Sequence, residues 1–144
     1  NDLYLSSNNL KKLSNDSFGK LSSITYLSLS LNKIKIIEKG SFKYLTNLVN
    51  LEIKHNQLEK LDQIFENLES LENLYLSNNR LENLAENTFK GLEKTLIRLH
   101  LDYNYFEFIK SYYFNNLLNL KHLNLRNNQI SNIQYNSFYN LIYL

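Results

Sequence analysis

The chain has 144 residues, 43% of them hydrophobic, and its 16 Lys and Arg against 14 Asp and Glu leave a formal net charge of +2. That apolar content is enough for a core and argues against disorder, while so small a charge supplies no field that would draw nucleic acid or an anionic membrane. Cysteine is absent, which excludes disulfides, thiolate metal sites and cysteine nucleophiles, and no stretch approaches the roughly 18 apolar residues of a membrane span, so this segment is not expected to insert directly into a membrane.

From Asn1 onward the chain repeats itself. Leu3, Leu5, Asn8 and Leu10 enter partway through a motif that returns in full as Ile24, Leu27, Leu29, Asn32 and Ile34, and then as Leu48, Leu51, Ile53, Asn56 and Leu58. Leu71, Leu74, Leu76, Asn79 and Leu81 follow, then Leu96, Leu99, Leu101, Asn104 and Phe106, and last Leu120, Leu123, Leu125, Asn128 and Ile130. The pattern is Leu-x-x-Leu-x-Leu-x-x-Asn-x-Leu. Every unit closes on a Phe and a Leu three residues apart: Phe18 with Leu21, Phe42 with Leu45, Phe65 with Leu68, Phe89 with Leu92, Phe114 with Leu117 and Phe138 with Leu141. Residues 1–144 thus read as one domain of about six repeats, starting near residues 1, 24, 48, 71, 96 and 120. The unit from Leu48 is one residue short before Phe65, and the unit from Leu71 is one residue long around Thr95. Both changes fall outside the strand motif.

Leucines that alternate over a few residues predict a short strand with one face inward. Identical strands one unit apart stack in parallel, and parallel strands need a crossover, so the remaining dozen or so residues carry the chain back along an outer layer where Phe and Leu pack. The expected fold is an α/β solenoid with strands on one side and irregular or helical returns on the other. Asn8, Asn32, Asn56, Asn79, Asn104 and Asn128 sit where the chain turns off each strand. A carboxamide both donates and accepts, so a stacked row of Asn is suited to satisfying turn backbone that neighbouring units bury, a structural role worth roughly 1–3 kcal/mol per residue. The chain starts inside a strand, and Leu144 opens a seventh unit. The expectation is therefore an uncapped fragment of a longer array that, in isolation, self-associates through its ends.

Function is expected on the outward strand positions, which a stacked sheet presents as one surface. The candidates are Tyr4, Tyr26, Leu31, Glu52, Lys54, His55, Tyr75, Arg98, His100, Asp102, Tyr103, His122, Asn124 and Arg126. All three histidines, His55, His100 and His122, fall there. Tyr4, Tyr26, Tyr75 and Tyr103 supply the rigid amphipathic anchors that protein interfaces favour. The competing reading is a merely solvated polar face. His100 and His122 have Arg98 beside them and no third ligand, so no metal is expected. No Gly-rich phosphate loop, Gly-x-Ser-x-Gly elbow or His-Glu-x-x-His occurs, and neither a catalytic site nor a cofactor is expected. Asn15-Asp16-Ser17 makes Asn15 a candidate glycosylation site.

The strand motif, Asn row and Phe spine resemble the typical 24-residue class of leucine-rich repeats in animal receptor ectodomains, over essentially the whole chain. Toll-type receptors, slit-like guidance proteins and chaoptin-like adhesion proteins share this unit, and Gly91-Leu92-Glu93-Lys94-Thr95-Leu96 looks like a chaoptin-type insertion. The resemblance implies a right-handed horseshoe whose concave face carries the strands. It also implies an extracellular or cell-surface, often glycosylated array that binds a protein or glycoprotein ligand there; from the small net charge, no nucleic-acid partner is expected. Alternatives it leaves open are a Toll-type recognition ectodomain, a structural or homophilic adhesion array, and an intracellular scaffold. Two departures stand out. The Pro frequent in this class is replaced by Ser14, Glu38, Asp62, Ala85, Lys110 and Gln134, and the Cys-rich caps that often flank such arrays are missing.

Overall fold

The computed structural model describes all 144 residues and contains strands and turns but no helix. Ten short strands occur in chain order: β1 (Asp2–Tyr4), β2 (Lys12–Leu13), β3 (Tyr26–Ser28), β4 (Ile36–Ile37), β5 (Asn50–Glu52), β6 (Asn73–Tyr75), β7 (Arg98–His100), β8 (Phe108–Ile109), β9 (His122–Asn124) and β10 (Asn132–Ile133). Six of them, in the order β1-β3-β5-β6-β7-β9, form one parallel sheet, so each turn of the solenoid adds one strand. The register pairs Leu3 with Leu27, Leu27 with Leu51, Leu51 with Leu74, Leu74 with Leu99 and Leu99 with Leu123. Those leucines face inward, and Leu27, Leu51, Leu74 and Leu99 are completely buried. Each such side chain stabilises the fold by about 1.5–3 kcal/mol relative to exposure.

The returns are chains of turns, the irregular form of the two that were expected. They also contain something the repeat pattern did not indicate. β2 pairs with β4, and β8 with β10, as two small parallel sheets on the flank, whereas the two central units form no strand there. In β2, β4 and β8 the inward member, Leu13, Ile37 or Ile109, is buried and its neighbour, Lys12, Ile36 or Phe108, is exposed, whereas both residues of β10 are exposed.

The Phe layer is split. Phe18 and Phe42 stack with ring centroids 5.8 Å apart, and Phe65, Phe89, Phe114 and Phe138 stack in a continuous run at 6.2, 6.4 and 6.1 Å. The break falls between Phe42 and Phe65, in the unit that is one residue short, so a shortened return shifts the ring without disturbing the strands. Gly91, in the lengthened unit, has φ +96°, and a Cβ there would lie 2.6 Å from the Glu66 carbonyl oxygen. Only glycine lets the longer return pass that close to the unit below.

Candidate functional site

The turn that ends each strand sets the edge of the candidate surface. Ser7, Leu31, His55, Asn78, Tyr103 and Asn127, one per unit, all have φ between +53° and +58°. This left-handed residue swings the next one, the repeat asparagine, under the sheet. Asn56 shows the pattern. Its Oδ1 accepts the Ile34 backbone N–H at 2.9 Å, and its Nδ2 donates to the carbonyls of Leu29 at 3.0 Å and Ile53 at 3.3 Å. Asn32, Asn79, Asn104 and Asn128 repeat the same three bonds to the corresponding groups of their own and the preceding unit. Asn8 differs. It is exposed and bonds only within its own turn, to the carbonyls of Leu5 and Ser6.

These turns divide the candidate residues into two rows. Tyr4, Tyr26, Glu52, Tyr75, Arg98, His100, His122 and Asn124 lie on strands, but Leu31, Lys54, His55, Asp102, Tyr103 and Arg126 lie beyond the strand ends. The reading that placed all of them on strands is corrected here. The paired strands end at the fifth position; the sixth-position Leu29, Ile53, Leu76 and Leu101 still point inward, and the chain then reverses to bring the asparagine inward.

The sheet brings several of the predicted residues into contact. Glu52 and Lys54 pair at 3.0 Å, the Lys54 ammonium stands 5.5 Å from the Tyr75 ring centroid, and the Tyr75 and His100 rings lie 5.0 Å apart. His100 Nδ1 is 3.8 Å from Asp102 Oδ1, which also accepts the Ser77 hydroxyl at 2.7 Å. A contact chain therefore crosses three units. A second runs beside it: Arg98 donates to Asn73 Oδ1 at 3.1 Å, and Asn73 Nδ2 donates to Asn50 Oδ1 at 2.8 Å. At the other end the Tyr4 and Tyr26 rings are 5.2 Å apart, and the Tyr4 hydroxyl donates to Asp2. The adjacent Asp2 carboxylate raises the pKa of Tyr4, and burial followed by the Glu52 carboxylate raises that of Tyr26. Both phenols stay neutral donors at physiological pH.

His100 faces Asn124 in the register, and His122 faces Arg98, so the two histidines are diagonal neighbours rather than a facing pair. Leu31 is 54% exposed and Tyr103 49%, which leaves both available to a partner at the sheet edge. Asn50, Asn73 and Ser77 were not among the candidates, yet they hold Arg98 and Asp102 in place. Their outward position in the repeat was the available signal, and their small neutral side chains drew no attention. Asn15 is exposed, its backbone N–H donates to Glu38, and the Ser17 hydroxyl accepts the Ser14 N–H.

Comparison with known proteins places this geometry. Residues 1–58 and 94–144 match the leucine rich repeat family, and residues 70–92 match a second leucine-rich repeat description. Toll-like receptor 3 of Bos taurus is 36% identical over 100 residues, covering 62% of this chain and 11% of the receptor. Lumican of Gallus gallus is 36% identical over 104 residues, covering 72% of this chain and 29% of lumican. Among solved structures, a chain of the TLR13–ssRNA13 complex superposes with a TM-score of 0.94 at 27% identity, over 99% of this chain and 20% of that one. A chain of the Drosophila Toll–Spatzle complex gives 0.77 at 25% identity, over 92% and 19%. The chain thus spans less than a third of each of these relatives. The expectation that nucleic acid is no partner rested on net charge, and likeness to a protein solved with single-stranded RNA leaves it without support. None of the matched families describes an enzyme. Matched over most of its length and built as a parallel-strand solenoid of about six turns, the chain belongs to the leucine-rich repeat family.

Proposed function

We infer that this chain is a protein-binding module of an extracellular receptor or adhesion protein, without enzymatic activity, and that it engages a protein or glycoprotein ligand on the outward face of the six-stranded sheet. The observation that carries this reading is the contact chain from Glu52 through Lys54, Tyr75 and His100 to Asp102. Side chains held by neighbours on adjacent strands lose little freedom on binding, and exposed Tyr103 supplies an aromatic anchor at their edge. Likeness to receptors named Toll and Toll-like supports a recognition ectodomain as the particular form, on a cell surface.

The test uses this chain, fluorescently labelled and tetramerised, on cells of its source. The triple variant Arg98→Ala/His100→Ala/Tyr103→Ala is expected to bind at least about tenfold more weakly. A return-side variant, Lys39→Ala/Lys43→Ala, is expected to bind as the parent does. Retained binding by the face variant would refute the proposal and favour an adhesion array that works through its edges. Parallel titration with a single-stranded RNA oligonucleotide separates a nucleic-acid ligand, since RNA competition at the same face would replace the protein partner.

A further inference from the structure

A second surface lies on the flank of the solenoid, away from the sheet face, and is independent of the function proposed for that face. Tyr105, Glu107 and Phe108 of the fifth unit, Glu82 and Asn83 of the fourth and Gln129 of the sixth line a cleft of about 350 Å³. Tyr105 is 47% exposed and Phe108 48%. The corresponding outward positions in the other units read Asn9 and Lys12, Lys33 and Ile36, Gln57 and Lys60, Arg80 and Asn83, and Gln129 and Asn132. Only the fifth unit places aromatic residues at both.

Charge changes along the same flank. Lys11, Lys12, Lys33 and Lys35 crowd the first two units, whereas the cleft holds Glu82 and Glu107, neither in an ion pair, and no Lys, Arg or His. Three other grooves that contain glutamate also contain lysine. The walls are fixed from within: Tyr105 N–H donates to the Leu81 carbonyl at 2.8 Å, β8 is paired to β10, and Phe106 and Ile109 are fully buried between the lining residues. Asn83 Oδ1 accepts the Tyr113 hydroxyl at 3.2 Å, which orients its amide group.

Two aromatic faces and two unpaired carboxylates on rigid backbone recognise a cation with a flat or extended apolar stem. We propose that this flank cleft is a binding site for an arginine or lysine side chain presented by a basic peptide segment of a protein partner. The guanidinium meets the carboxylates of Glu82 and Glu107, and its stem lies against Tyr105 and Phe108.

The experiment titrates this chain, ¹⁵N-labelled, with a tetra-arginine peptide of blocked termini and follows backbone amide shifts. Saturable shifts centred on Tyr105, Glu107 and Phe108 are expected, with a neutral tetra-citrulline peptide producing none. Glu82→Gln/Glu107→Gln and Tyr105→Ala/Phe108→Ala should each weaken binding by about tenfold, while Asp2→Asn/Glu69→Gln, acidic and exposed on the first strand and on a return, changes it less than about twofold. All replaced side chains are exposed, and the Glu-to-Gln changes preserve shape, so melting temperatures verify that the variants fold. Shifts scattered over acidic residues generally, equal loss with the Asp2/Glu69 variant, or undiminished binding by the two cleft variants would overturn the assignment.

Discussion

At the scale of single residues, the repeat asparagine and the residue before it divide a conformational problem. Six successive turns adopt the left-handed region at a position occupied by Ser, Leu, His, Asn, Tyr and Asn, none of them glycine. For most L-residues this conformation costs roughly 1–2 kcal/mol, and Asn tolerates it best. Leu31→Asn is therefore expected to stabilise the fold by about 0.5–1 kcal/mol in urea denaturation, because Leu31 is exposed and contributes little burial. The asparagine bonds repay that strain. Asn79→Ala removes an acceptor for the Leu58 N–H and donors to two carbonyls, so a loss of about 1–3 kcal/mol is expected by the same measurement, and Asn8→Ala should cost clearly less. The Asn row was legible because its spacing is strict. The left-handed residue was not, since Ser, Leu, His, Asn and Tyr share that position and leave no composition signature.

At the scale of elements, the strands were legible from inward leucine, while the returns were only partly so. Phe and Leu marked the outer layer, but the flank sheets and the split Phe stack depend on how consecutive returns align, which one-residue length changes alter without changing residue type. Ion pairs stitch the returns together. Lys12 meets Glu38, Lys43 meets Asp16, and Glu66 sits between Lys39 at 3.3 Å and Lys90 at 2.7 Å, tying three units. Hydrogen bonds from Lys90 and then Lys39 hold the Glu66 carboxyl below its ordinary range, and Lys12, followed by the Asn15 N–H, does the same for Glu38. A carboxyl that is more acidic in the folded state adds stability above its unfolded pKa, near 4.3, and that contribution disappears as pH falls through the lower folded value. The melting temperature of the parent should therefore fall more steeply between about pH 5 and pH 2 than that of Glu66→Gln/Glu38→Gln. Parallel slopes in calorimetric scans would show that these pairs contribute nothing to stability, as exposed pairs sometimes do.

At the scale of the whole molecule, repetition supplies the scaffold and departures from repetition supply the individuality. Each unit buries its leucines against the next, so the sheet extends one strand at a time and the outward positions are free to vary. That variation is ordered: tyrosines with Asp2 and Glu52 toward one end, and Arg98, His122 and Arg126 toward the other. The location of the candidate surface could be read from period alone. Its internal contacts could not, because Tyr75 and His100, or Lys54 and Tyr75, meet only through the register of separate units. The flank cleft escaped for the same reason, being assembled from three returns. The central claim is that a macromolecular ligand seats on the sheet face, and the most direct measurement is site-specific photocrosslinking in the full-length protein on its native cells. A benzophenone residue in place of Tyr103 should yield a discrete ligand adduct that excess unlabelled chain abolishes, whereas the same residue in place of Tyr44, on a return, should yield none. Adducts from the Tyr44 position and none from Tyr103 would contradict the account and move recognition to the outer surface.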